Sequence, residues 1–355
     1  MNRREMLLSS AAGLAAAAVS APERLAAAAP APRTRLGVVI HSFVFRPRLD
    51  REAGRSAPFG DPLSFLEYCH QLGAGGIQVG LGVKDDAYAA RLRRQAETHG
   101  MFVEGSAGLP RGPDDVERFA AEVRTAQQAG ATVIRTVMMP GRRYEQFEAA
   151  DRFRQTADRA RQSLELAEPV VRRQGMRLAV ENHKDWRVPE MLQIIQRIAS
   201  QHVGICVDTG NSIALLEDPM EVVRAYAPWA MSVHLKDMAV REYEQGFLLS
   251  EVPLGEGFLD LLQMVKTLRQ SRADIRFALE MITRDPLAVP CLTEKYWATL
   301  GEVPGRDLAR TLRLVRAKAA QELPRVSHLP FAQQVAREEE NVRRCLRYAA
   351  ERLGV

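Results

Sequence analysis

The chain reads as an α/β protein of the (β/α)₈ barrel class, a single domain with insertions after the seventh and eighth strands. Three observations lead there. Eight short apolar runs recur along the sequence, each followed by a stretch with helical spacing. Four residues able to bind a metal stand one each at the ends of the last four runs. The 355 residues, less an N-terminal segment of different character, suit one such barrel with additions.

The N-terminal segment comes first. Arg3 and Arg4 precede an Ala-rich apolar run that is too short for a good membrane span. The stretch LAAAAPAP then offers small residues for cleavage between Ala26 and Ala31. Residues 1–30 resemble a twin-arginine export signal, so the mature protein, residues 33–355, is expected in the periplasm.

The first barrel run is LGVVI (36–40), with His41 just past it. Runs of this kind suit strands buried on both faces. DPLSFLEYCHQLG follows, with an Asp start signal and Gly73 at its close, as a helix requires. GIQVG (76–80) leads into DDAYAARLRRQAETHG, closed by Gly100. MFVEG (101–105) leads into PDDVERFAAEVRTAQQAG, closed by Gly130. TVIRTVM (132–138), MRLAVE (176–181), VGICVD (203–208), MSVHLK (231–236) and RFALEM (276–281) complete the set.

Two segments break the alternation. Residues 238–257 make a long connection after the seventh run, and residues 284–325 after the eighth are too irregular for one helix. Insertions at these points fall on the active-site face of a barrel, where they can shape or cover a pocket. FAQQVAREEENVRRCLRYAAERLG is expected as the last helix.

Composition narrows the classes of function. A hydrophobic fraction of 46% and a charged fraction of 26% describe an ordinary globular protein with a large core. The net charge of +5 comes from Arg residues scattered over helical stretches, with no block of like charge. That argues for solvated helix faces rather than a nucleic-acid footprint. Past the signal, no segment is long and apolar enough to span a bilayer. Cys69, Cys206, Cys291 and Cys345 match no zinc or redox spacing. Neither a GxGxxG fingerprint nor a GxxxxGK phosphate loop is present. The sequence leaves a homo-oligomer open.

The chemistry sits at Glu181, Asp208, His234 and Glu280, which close the fifth to eighth runs. A strand buried on both faces carries an ionisable group only at a mouth or in a pair. The gaps between the four match successive βα units, the last lengthened by the insertion, so all four fall at one barrel mouth. Three carboxylates and one imidazole suit a divalent ion such as Mn²⁺, Mg²⁺ or Co²⁺. Around them, His183 and Lys184 follow Glu181, Asn211 follows Asp208, and Lys236 lies two residues past His234. With His41 these are the candidates for contacting substrate oxygens, each set against a plain structural role. Glu104 at the third strand is a weaker candidate. Gly255 and Gly257, flanking Glu256, are read as a turn.

The motifs LAVENH, VDTGN, VHLKD, LGEG and FALE resemble, in order and position, those of the xylose isomerase-like TIM barrel superfamily, in its sugar phosphate isomerase/epimerase branch. The resemblance covers nearly all of the expected mature chain. It implies one divalent ion held by Glu181, Asp208, His234 and Glu280. It also implies that Glu181 and Glu280 act as acid and base on opposite faces of a substrate carbon. A metal bridging a carbonyl and the adjacent hydroxyl acidifies the C–H between them and stabilises the enediolate. The expected activity is isomerisation or epimerisation of a small carbohydrate, and the absence of a phosphate loop favours a neutral sugar, glycoside or sugar acid.

One position departs from that pattern. Many relatives carry His where this chain has Asn211, and an amide does not shuttle protons. The departure keeps open a lyase or dehydratase acting on an oxidised sugar or 3-keto-glycoside. Metal-dependent apurinic endonucleases share the fold but use a His-rich metal cluster, which the seven His of this chain do not supply. A non-catalytic sugar binder is a further reading, and the intact ligand set weighs against it.

Overall fold

The computed structural model describes residues 33–52, 54 and 59–355, so the expected export signal lies outside the described residues. The strands are β1 (Gly37–Val39), β2 (Gly76–Val79), β3 (Phe102–Ser106), β4 (Val133–Thr136), β5 (Arg177–Glu181) and β6 (Val203–Asp208). They continue with β7 (Ala230–Leu235), β8 (Asp237–Tyr243), β9 (Gly246–Val252), β10 (Phe277–Leu279) and β11 (Leu287–Val289). The first six helices are α1 (Arg46–Glu52), α2 (Pro62–Gln71), α3 (Asp86–His99), α4 (Val116–Gln128), α5 (Arg143–Gln146) and α6 (Ala150–Arg173). The remaining six are α7 (Val188–Ile198), α8 (Pro219–Tyr226), α9 (Leu261–Ser271), α10 (Glu294–Trp297), α11 (Gly305–Ala317) and α12 (Phe331–Tyr348). Among them, none is long and apolar enough to cross a membrane.

Eight parallel strands close into a barrel in the order β1–β10–β7–β6–β5–β4–β3–β2. Each of the eight apolar runs overlaps one of these strands. Strand alternation divides their side chains between two environments. Ile77, Val103, Ile134, Leu178, Val180, Ile205, Val207, Val233 and Leu235 face outward and join the helix layer in the main core. Val133, Ala179, Cys206 and Met231 pack inside the barrel as a separate small cluster. Burying each large aliphatic side chain contributes about 1.5–3 kcal/mol, which favours this register over one slipped by a residue.

The helices begin and end on the signals carried by the sequence. Asp61 and Asp85 accept the backbone N–H of Ser64 and Tyr88 at the starts of α2 and α3. Such caps contribute about 1 kcal/mol each. Gly100 closes α3 with φ of 64°, a conformation that costs other residues energy.

The two insertions meet each other. β8 and β9 form an antiparallel hairpin directly after β7, and β11, from the segment after β10, pairs with β9. The resulting sheet, β11–β9–β8, buries Met238, Val240, Phe247, Leu249 and Val289 in its own core with Tyr296, Leu300 and Val315. Asp237 anchors the base of the hairpin: its carboxylate accepts the backbone N–H groups of Gly255, Gly257 and Leu259. Gly255 has φ of 87°, and a Cβ on Gly257 would lie 2.1 Å from Asp237 Oδ1. These two glycines therefore make the turn that the LGEG motif predicts.

Candidate metal centre

Glu181, Asp208 and His234 share the inward-facing positions of β5, β6 and β7, and Glu280 follows β10 immediately. Asp208 pairs directly with His234, while Glu181 pairs with Cys206, two residues before Asp208, and Glu280 lies two residues past Ala278, the partner of His234. One ligand atom from each of the four lies within 4.8 Å of the others. His234 Nδ1 stands 3.4 Å from Glu181 Oε2, 3.7 Å from Glu280 Oε2 and 3.9 Å from Asp208 Oδ2.

The donor set fits a divalent ion. His234 Nδ1 is buried and makes no hydrogen bond, which is costly unless something else satisfies it. Asp208 Oδ2, also buried, faces the same centre with the Lys236 ammonium 3.0 Å away. Asp208 Oδ1, by contrast, is committed to the backbone N–H groups of Gly210 and Asn211, each at 2.9 Å. That turn aims Oδ2 at the centre. Asn182 ties the two neighbouring strand ends together, since its amide donates to Asp208 O and accepts from Asp208 N.

Cations surround the carboxylates. Lys236 Nζ lies 2.6 Å from Glu280 Oε2 and 3.0 Å from Asp208 Oδ2. Arg135, on β4, donates Nε to Glu181 Oε2 at 2.6 Å. Burial alone would raise the Glu181 carboxyl, but Arg135 and His234 outweigh it and hold the group below the usual range. Burial likewise opposes ionisation of Glu280, and Lys236 and His234 reverse it. At Asp208 burial wins over Lys236, and the carboxyl is raised.

The other sequence candidates take distinct places. His41 has a side chain 52% exposed and its Nδ1 lies 3.4 Å from Glu280 Oε1, so its imidazole stands between the buried Glu280 and solvent. Asn211 Nδ2 donates to Glu181 Oε1 at 3.3 Å, while its Oδ1 accepts from Lys236 Nζ at 3.3 Å and from Lys184 Nζ. Lys184 is buried, and no carboxylate is ion-paired with it among the described residues. Burial, and then Lys236, push its ammonium down to about 8. His183 turns to the backbone, with Nδ1 3.0 Å from Gly141 O, and burial lowers its imidazole to about 4. Glu104 lies deeper in the barrel, bonded to Gln78 and Ser232.

Several residues at the site escape the sequence reading. Gln78 and Arg135 are polar side chains inside apolar strands, a signal present in GIQVG and TVIRTVM. Glu251, on β9, is buried and pairs with Arg284, whose Nε lies 3.1 Å from Glu251 Oε2. Burial would raise Glu251, and Arg284 and Lys236 together lower it. A cavity of about 430 Å³ adjoins this pair, lined by Met281, Thr283 and Asn341 among others. The four cysteines are buried and unbridged.

A sequence profile of the xylose isomerase-like TIM barrel family matches residues 66–311. The 3-oxo-isoapionate decarboxylase of Pectobacterium atrosepticum is 28% identical over 224 residues, which is 61% of this chain and 76% of that protein. A xylose isomerase-like TIM barrel protein from Mycobacterium smegmatis, solved in complex with magnesium, has a TM-score of 0.50 at 17% identity, over 78% of this chain and 97% of its own. D-Psicose 3-epimerase from Clostridium cellulolyticum H10, solved with D-tagatose, has a TM-score of 0.51 at 11% identity, over 79% of this chain and 96% of its own. At these identities the structural likeness establishes the barrel.

Proposed function

Because this chain belongs to the xylose isomerase-like TIM barrel family, we propose that it is a divalent-metal-dependent carbohydrate isomerase or epimerase working by proton abstraction next to a carbonyl. The observation that carries this reading is the pair Glu181 and Glu280, brought by separate strands to one ligand group with Asp208 and His234. A divalent ion held by these four residues supplies Lewis-acid polarisation of a substrate carbonyl. The residues of the chain do the rest. One Glu takes the proton from the neighbouring carbon and the other returns one from the opposite face, which inverts the centre. Lys236 Nζ offers a positive charge to the developing oxyanion. His41, between Glu280 and solvent, gives that carboxylate a route for proton exchange. Burial of the ligands keeps bulk water from the intermediate.

A second reading is a lyase acting on an oxidised sugar, and two observations favour it. Lys184 is a buried cation with no paired carboxylate, suited to an anionic group on the substrate. The relative at 28% identity is a decarboxylase of an oxo sugar acid. In such a reaction the C–C bond to the carboxylate breaks and its electron pair enters the adjacent carbonyl as an enolate. Carbon dioxide leaves and a proton returns to carbon, so no base is required.

We place the enzyme in the periplasm on the strength of Arg3, Arg4 and the apolar run that follows. The test is NMR of metal-loaded protein in deuterated buffer with free ketoses, 3-keto-glycosides and 3-oxo sugar acids. Epimerisation yields an isomer deuterated at the inverted carbon. Elimination or decarboxylation yields an unsaturated or shortened product. Metal binding with no turnover of any substrate overturns both readings in favour of a binding protein.

A further inference from the structure

Beneath the ligand ring, polar side chains from β2, β3 and β7 form a continuous hydrogen-bond chain inside the barrel. His234 Nε2 lies 2.7 Å from Gln78 Oε1. Gln78 Nε2 donates to Glu104 Oε2 at 3.0 Å, and Ser232 Oγ donates to the same oxygen at 2.7 Å. All four residues are buried. Parallel register places Gln78 directly beside Glu104. The chemistry derived above uses none of Gln78, Glu104 and Ser232.

The chain has a direction. Glu104 Oε2 accepts twice, so it draws the NH₂ end of the Gln78 amide toward itself. The amide must then present its carbonyl to the imidazole. A carbonyl only accepts, so His234 Nε2 carries the hydrogen. In a neutral imidazole the lone pair is then on Nδ1, the nitrogen that faces Glu181, Asp208 and Glu280. With the amide reversed, Nδ1 would direct an N–H at the ion position and His234 would cease to be a ligand.

We propose that Gln78 is a positioning residue that fixes the tautomer and orientation of His234, held in its own orientation by Glu104 and Ser232. The proposal rests on the metal-centre reading and extends it into the barrel interior. Partners of this kind orient a metal-binding imidazole, and their loss typically weakens metal binding about 10–100-fold.

The experiment measures Mn²⁺ affinity by chelator competition and the visible spectrum of the Co²⁺-loaded protein, with circular dichroism as the check on folding. Gln78→Met keeps the volume and removes the amide. It is expected to bind Mn²⁺ about 10–100-fold more weakly and to alter the Co²⁺ bands. The exchange of Gln78→Glu together with Glu104→Gln rebuilds the chain, with residue 78 accepting from Nε2–H. The NH₂ group of residue 104, in the place of Oε2, donates to residue 78 and to Ser232 Oγ, whose hydroxyl accepts as readily as it donates. This double variant is expected to bind near the wild-type affinity, and it decides the matter if Gln78→Met does not fold. Wild-type affinity and spectrum in folded Gln78→Met, or a double variant whose binding is lost, overturns the proposal alone. A wild-type protein that takes up no divalent ion overturns the metal reading and this proposal with it.

Discussion

Lys236 Nζ stands 2.6 Å from Glu280 Oε2, within the ring of carboxylates rather than at its rim. A carboxylate held so closely by an ammonium keeps its charge far into the acid range and is a weak base while paired. Arg135 restrains Glu181 in the same way from the opposite side. Turnover in the proposed reaction thus requires the cations to transfer to substrate oxygens as a carboxylate accepts its proton.

Glu181→Gln and Glu280→Gln keep shape and remove the base. If the two are paired acid and base, each loses at least about a hundredfold in turnover even where metal remains bound. Single variants of an epimerase are expected to retain deuterium exchange from one face. In a lyase, only one of the two affects proton movement and the other affects chiefly metal affinity. Turnover, bound metal and exchange measured together check the assignment, and near-normal turnover in both variants refutes it.

Metal removal is the second test. The purified protein is expected to hold about one divalent ion per chain. EDTA should abolish activity, and Mn²⁺, Co²⁺ or Mg²⁺ should restore it. Full activity in a chelated sample rules out the proposed chemistry.

Lys184 gives a pH test of substrate charge. Its ammonium, pushed down to about 8, is cationic below that pH and neutral above it. KM for a carboxylate-bearing substrate should therefore be flat below about pH 8 and rise beyond it, while KM for a neutral sugar stays level. Lys184→Met should raise KM for the acid about tenfold or more at neutral pH, since a hydrogen bond to a charged group contributes about 1.5–3 kcal/mol. It should also erase the rise. Identical KM profiles for acidic and neutral substrates exclude an anion-binding role.

Export is tested by replacing Arg3 and Arg4 with Lys. The precursor should then accumulate in the cytoplasm, since the Arg pair is the recognised part of such a signal. Its normal appearance in the periplasm would show that residues 1–30 serve another purpose.

The eight barrel strands and the grouping of the four candidate ligands are legible in the sequence because both follow from local pattern. An apolar run bounded by turn residues makes a buried strand, and an ionisable residue at its end marks the mouth. Gln78 and Arg135 were readable by the same rule, as polar groups within apolar runs, but their partners lie on other strands. Glu251 could not be placed this way. Its position depends on the β8–β9 hairpin folding back over the mouth and on Arg284 arriving from the segment after β10. Long-range pairing of that kind leaves no periodic trace in either segment.

The small sheet binds two stretches of chain that leave from neighbouring barrel strands, β7 and β10, but are separated in sequence by α9 and β10 themselves. Its central strand, β9, supplies Glu251, and the segment that supplies β11 begins beside Arg284. A residue gained or lost in either stretch would displace a side chain contributed by the other. For heredity the two loops are thus one locus: drift toward a new substrate should proceed through matched changes in both. A graft of this active site onto another barrel must carry both loops or neither.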